Sequence, residues 1–253
     1  MLVDQFIVGG NGFLAEEALR SVNRDAVVSV HIPELTGEGR CLEDSAIKQG
    51  FSILEGPLRD HENYLLGLPS IVIASFWQRE LVPESITSKH FCLNLHFGAL
   101  PKYAGKSPLF WAIANGECHV GITLHKMDGS FDTGPILSQT LVSLTGPKRK
   151  CVLPTGRTLE VYGLTAEEAF IQANYVAAGM FRAWYSRPTF NCYKGNGKFE
   201  YRDRKAVVFE KDCHLSQDLS DERLECLIRA FTFPSKNTWP HMNGRRLELE
   251  PAN

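Results

Sequence analysis

The chain has 253 residues, 43% hydrophobic and 22% charged, with a net charge of −2, so it lacks the basic footprint of a nucleic-acid-binding surface. That length makes one large domain or a domain with a smaller appendage, and its core needs neither disulfides nor a structural metal. Seven cysteines without a C-x-x-C pair exclude a zinc ribbon or thioredoxin-like motif, and no apolar run approaches membrane-spanning length.

The first residues, MLVDQFIVGG, lack the basic start of a signal peptide, so the expectation is a cytoplasmic protein with reduced thiols and no membrane contact. Phe6-Ile7-Val8 reads as a buried strand, ended by Gly9, Gly10 and Gly12, and helical spacing follows from Phe13 to Val22. Further strands are expected at 26–30, 51–54, 70–74 and 91–95. The strand at 70–74 has no polar face, as a parallel strand covered on both sides requires. Such β-α-β-α alternation predicts an α/β fold with a Rossmann-like, doubly wound, mostly parallel sheet. Two more strands, 120–124 and 135–138, are joined by the short loop MDGSFDTG. A capping box at Thr165 and Glu168 starts a helix running to about Trp184. Residues 1–188 therefore read as the main domain, and 189–253 as a small C-terminal extension holding a helix near Asp221 to Phe231. The basic residues Lys148, Arg149 and Lys150 read as solvated surface.

Polar residues and glycines are densest between 91 and 139. Asn94 and His96 alternate with Leu93 and Leu95, so both project from one face near the C-terminal end of the fifth strand, where open α/β sheets bind ligands. Gly98, Pro101, Gly105 and Pro108 then fix a long loop, and Asp132 sits in a second loop between Gly129 and Gly134. Amide, imidazole and carboxylate together suit acyl transfer to an amine. Asn94 and His96 can donate to the oxygen of a tetrahedral intermediate, and Asp132 can orient the imidazole. Either Asp132 or His96 can relay the amine proton. No nucleophilic Ser or Cys occupies an elbow motif, so direct transfer is expected rather than an acyl-enzyme. His96 has no second ligand at a zinc spacing, and no metal is expected.

These motifs are Asn94-Leu95-His96, Leu100-Pro101-Lys102-Tyr103-Ala104-Gly105-Lys106-Ser107-Pro108, Asn115-Gly116-Glu117, Gly121-Ile122-Thr123-Leu124-His125 and Asp132-Thr133-Gly134-Pro135-Ile136. In that order they resemble the formyltransferases that use 10-formyltetrahydrofolate. The resemblance implies that Asn94, His96 and Asp132 are the catalytic residues. It also implies that the folate lies along Phe76, Trp77, Gln78 and Leu81, with its formyl end toward Asp128 and Gly129. WAIANGE followed by GITLHKMD is most similar to members that formylate amino sugars carried on dTDP or UDP, in which a small C-terminal extension forms a homodimer. The acceptor is then expected near Asn11, Phe97, Gly98, Lys102, Tyr103 and Lys106. Methionyl-tRNA and glycinamide ribonucleotide are the alternative acceptors within the family. Ala104 stands where members of the family often carry Arg, which bears on acceptor identity.

A rival reading comes from Gly10-Asn11-Gly12-Phe13-Leu14-Ala15, which fits the G-x-G-x-x-A turn of NAD-dependent oxidoreductases. The acidic residue that should close the second strand is missing there, because that strand runs into His31-Ile32-Pro33.

Overall fold

The computed structural model describes residues 5–10, 12–34, 37–76, 81–196, 200–202, 213–233 and 238–252. They form two compact units, one from residues 1–96, 122–139 and 174–197 and the other from 97–121, 140–173 and 198–253.

Five parallel strands organise the first unit: β1 (Phe6–Gly10), β2 (Val27–Ile32), β3 (Ile53–Glu55), β4 (Val72–Phe76) and β5 (Phe91–His96). After β6 (Ala104–Gly105), a short strand of the second unit, come β7 (His119–Lys126) and β8 (Ile136–Ser143). The completed seven-stranded sheet has the order β3-β2-β1-β4-β5-β7-β8, and β7 lies antiparallel to β5. This is the expected doubly wound, mostly parallel architecture. β1 and β4 are buried along their whole lengths, which explains their unbroken apolar sequences. Helices α1 (Gly12–Ser21), α2 (Gly37–Gln49), α3 (Glu62–Gly67) and α4 (Glu84–Lys89) fill the connections. α1 buries Leu14, Ala15, Ala18 and Leu19, a single helical stripe.

Two features shape the C-terminal ends of these strands. Gly10 has φ 120°, and a Cβ there would lie 2.2 Å from the Phe76 carbonyl oxygen, so only glycine lets β1 approach β4 at this turn. Beside it, His31 on β2 is fully buried, with Nδ1 2.7 Å from Ser75 Oγ and Nε2 2.7 Å from the Gly56 carbonyl oxygen. Burial pushes its pKa down to about 4, against the opposing pull of that carbonyl.

The second unit contains α5 (Pro108–Ala114), the antiparallel pair β9 (Lys148–Val152) and β10 (Thr158–Tyr162), and the start of α6 (Ala166–Ser186). Its C-terminal part adds β11 (Tyr201–Arg202), α7 (Asp221–Phe231), β12 (His241–Met242), β13 (Arg245–Arg246) and β14 (Glu250–Pro251), the last paired with β9. The capping box forms as expected: the Thr165 amide donates to Glu168 at 2.9 Å and the Glu168 amide donates to Thr165 Oγ1 at 3.3 Å. The basic run at 148–150 is not a plain solvated stretch, because Arg149 pairs with Glu168 and donates to the Gly163 carbonyl at 3.1 Å. Residues 189–196 lie in the first unit, where Tyr193 exchanges backbone hydrogen bonds of 2.8 and 2.9 Å with Ile136. Among the described residues, no helix is long and apolar enough to cross a membrane.

Candidate active site

Strand alternation puts Asn94 and His96 on the same face of β5, and His96 is the strand's last residue. The antiparallel register then sets His125 of β7 directly opposite Asn94, and Thr123 opposite His96. Directly opposed residues share a face, so the sheet itself brings a second histidine to the expected pair. Asn94 Nδ2 lies 3.2 Å from His125 Nε2.

Asp132 reaches the same place through its loop. The Asp128 carboxylate accepts from the Ser130 amide at 3.0 Å and from Thr133 Oγ1 at 2.7 Å, which winds the chain into a tight Asx turn. Asp132 itself takes φ 55°, a left-handed conformation that Asp tolerates better than most residues. Its carboxylate ends between the two imidazoles, with Oδ2 3.5 Å from His96 Nδ1 and Oδ1 3.6 Å from His125 Nε2. These are ion-pair separations, longer than good hydrogen bonds. The Asp132 and His96 side chains are only 13% and 8% exposed, so electrostatic interactions between them are little screened by solvent.

His125 is held differently. Its Nδ1 lies 3.2 Å from the Lys126 carbonyl oxygen, and burial pushes its pKa below the ordinary histidine range despite the attraction of Asp132. The imidazole is therefore neutral near pH 7, with its proton on Nδ1. Asn94 Oδ1 is buried and has no hydrogen-bond partner among the described residues. Arrayed together are a carboxylate, an imidazole, an amide with a vacant acceptor and a neutral second imidazole. That set can hold an amine, stabilise a developing oxyanion and move a proton. No group of three or more His, Cys, Asp or Glu suited to a metal occurs among the described residues.

The remaining expected residues are spread more widely. Phe76 ends β4 with its ring fully buried, 5.6 Å from Phe181, so only its main chain can face a ligand, whereas Leu81 is 42% exposed. Gly129 is exposed beside Asp128 in the Asp132 loop. Asn11, Trp77 and Gln78 lie outside the described residues. Phe97, Gly98, Lys102, Tyr103 and Lys106 belong to the second unit. There Lys102 does not present an unpaired charge: its ammonium is 2.7 Å from Glu117 Oε1, which Tyr103 also binds at 2.7 Å. Lys106 is exposed. Sequence reasoning passed over His125, although it closes the G-x-T-x-H motif; the spacing carries no sign that it faces Asn94.

Fold and site define an α/β protein with an amide, a carboxylate and two imidazoles gathered at the C-terminal end of β5. Residues 62–149 match the family described as formyl transferase, and the chain resembles that family as its motifs indicated. A methionyl-tRNA formyltransferase from Geobacter metallireducens is 39% identical over 181 residues, which cover 71% of this chain and 52% of that protein. The chain spans about half, or less, of the length of the curated relatives it matches. Among solved structures, a sugar N-formyltransferase from a Shewanella species shares the fold with a TM-score of 0.74 at 16% identity, covering 98% of both chains. An N-formyltransferase from Helicobacter canadensis, solved with folinic acid and dTDP-3-aminofucose, has a TM-score of 0.72 at 20% identity. That match covers 96% of this chain and 85% of the other.

Proposed function

We propose that this chain transfers the formyl group of 10-formyltetrahydrofolate to the amino group of a nucleotide-linked amino sugar of the dTDP or UDP type. The observation that carries the reading is the cluster of Asn94, His96, His125 and Asp132 at the end of β5. The site fits a formyl donor and an amine because its buried Asn94 Oδ1 calls for an N–H, and its imidazole and carboxylate suit a charge-separated intermediate.

When bound, 10-formyltetrahydrofolate supplies an activated formyl carbon on a nitrogen leaving group. Asn94 and His96 then face the developing oxyanion as donors, and either Asp132 or His96 takes the amine proton as the carbon–nitrogen bond forms. Enclosure of both side chains strengthens these interactions over their values in water. The folate would run from the Phe76 main chain and Leu81, with Trp77 and Gln78 between them in sequence, toward Asp128 and Gly129. Asn11, Phe97, Gly98, Lys102, Tyr103 and Lys106 would contact the acceptor. In the same reading the chain acts as a homodimer through its C-terminal region.

The sugar acceptor is favoured over methionyl-tRNA by the GITLHKMD segment and by the near-neutral charge, which is ill suited to gripping RNA. Incubation with 10-formyltetrahydrofolate and a panel of dTDP- and UDP-linked amino sugars, with methionyl-tRNA and glycinamide ribonucleotide alongside, tests it by mass spectrometry. One sugar should gain the mass of CO. Formylation of methionyl-tRNA alone would reassign the acceptor, and formylation of nothing in the panel would sink the reading.

A further inference from the structure

The unpartnered oxygen of Asn94 has a traceable cause. The Lys126 carbonyl oxygen lies 3.2 Å from His125 Nδ1 and accepts its proton. A neutral imidazole has one N–H, so Nε2 is left as an acceptor. Asn94 Nδ2, at 3.2 Å, donates to it. The amide is then fixed in one of its two orientations, with Oδ1 turned the other way, buried and without a donor among the described residues. A buried carbonyl oxygen is costly to leave unpaired, and such an atom in an active site points to a ligand group that completes it.

We propose that His125 is a positioning residue that sets the Asn94 amide so that its Oδ1 accepts a hydrogen bond from the attacking amine. This rests on the formyl-transfer reading and refines it. The amine attacks through its lone pair, and one of its two N–H bonds, directed at Oδ1, fixes where that lone pair points. As the new C–N bond forms and the bond from the formyl carbon to the folate nitrogen breaks, the amine loses one proton and the folate nitrogen gains one. The second N–H of Asn94 Nδ2 stays available to the oxyanion. Orientation of this kind acts on turnover more than on donor binding.

The test compares His125→Leu, which has no acceptor at Nε2, with His125→Gln, whose side-chain oxygen can accept from Asn94. With 10-formyltetrahydrofolate and the amino sugar that the wild-type protein formylates best, His125→Leu should lower kcat about 10²-fold, with the donor KM unchanged. His125→Gln should recover about tenfold of that loss. Wild-type turnover in His125→Leu, or equal losses in both variants, would overturn the proposal. A purely structural role predicts equal losses. Proton–nitrogen NMR of the wild-type chain provides a readout that needs no activity. It should show His125 protonated at Nδ1 alone, and an Asn94 side-chain amide signal that shifts in His125→Gln. A neutral His125 protonated at Nε2 overturns the proposal even if His125→Leu does not fold. Absence of transfer to any amine by the wild-type chain defeats the formyl-transfer reading, while the NMR result still decides the orientation of Asn94.

Discussion

Acid should weaken the first unit through His31. Its folded pKa of about 4 lies below the ordinary 6.5, because the buried ring is held neutral between Ser75 and Gly56. The unfolded chain therefore binds more protons between those two values. Stability is fully present above the unfolded pKa and is lost as pH falls toward the folded one. For one such group, linkage gives a loss of about 2 kcal/mol between about pH 7 and about pH 5. The assay is urea unfolding followed by circular dichroism at both pH values, for the wild-type protein and for His31→Gln. The substitution lowers stability at neutral pH by about 1–3 kcal/mol through its lost hydrogen bonds. It should also remove about 2 kcal/mol of the pH-dependent loss. His125, whose pKa is likewise lowered by burial, keeps part of the acid sensitivity in both proteins. Parallel losses in the two proteins would refute the assignment, as would a directly measured His31 pKa near 6.5.

Three further outcomes are expected. Asn94→Ala and His96→Asn should each lower turnover about 10²-fold or more in the formyl-transfer assay, and near-normal rates in both would remove the site from the chemistry. Glu168 closes the α6 capping box and pairs with Arg149, so Glu168→Ala should cost about 1–2 kcal/mol in thermal or urea unfolding. Glu168→Gln keeps the capping acceptor and should lose less than half as much. Glu117→Gln removes the charge that pairs with Lys102, so if Lys102 serves the acceptor's phosphates, the acceptor KM should fall while the folate KM holds.

The main sheet could be read from sequence because its strands are short apolar runs bounded by Gly and Pro, and parallel burial demands such runs. The α6 start was equally legible, since a capping box is a local device of four residues. α2 gave little signal: Gly37 and Gly39 open it, and glycine is a poor helix former. The Lys148-to-Lys150 run hid a strand because one of its two pairing partners, β14, lies far along the chain. The same reason covers the site. Asn94 and His96 share a strand and announce themselves by alternation, and Asp132 stands out between two glycines. His125 gains its position only through the pairing of β5 with β7, a long-range register that no local pattern encodes.

Gly134 shows how far such a register reaches. A Cβ at this residue would lie 1.8 Å from the Lys126 carbonyl oxygen, the atom that accepts from His125 Nδ1. Position 134 is thus constrained by an oxygen on another segment. A randomised library at 134 should accept glycine alone, even though the residue itself carries no functional group. Selection for activity there would report on proton placement in a neighbouring ring, and a profile built on turn propensities would assign the same glycine to the wrong cause.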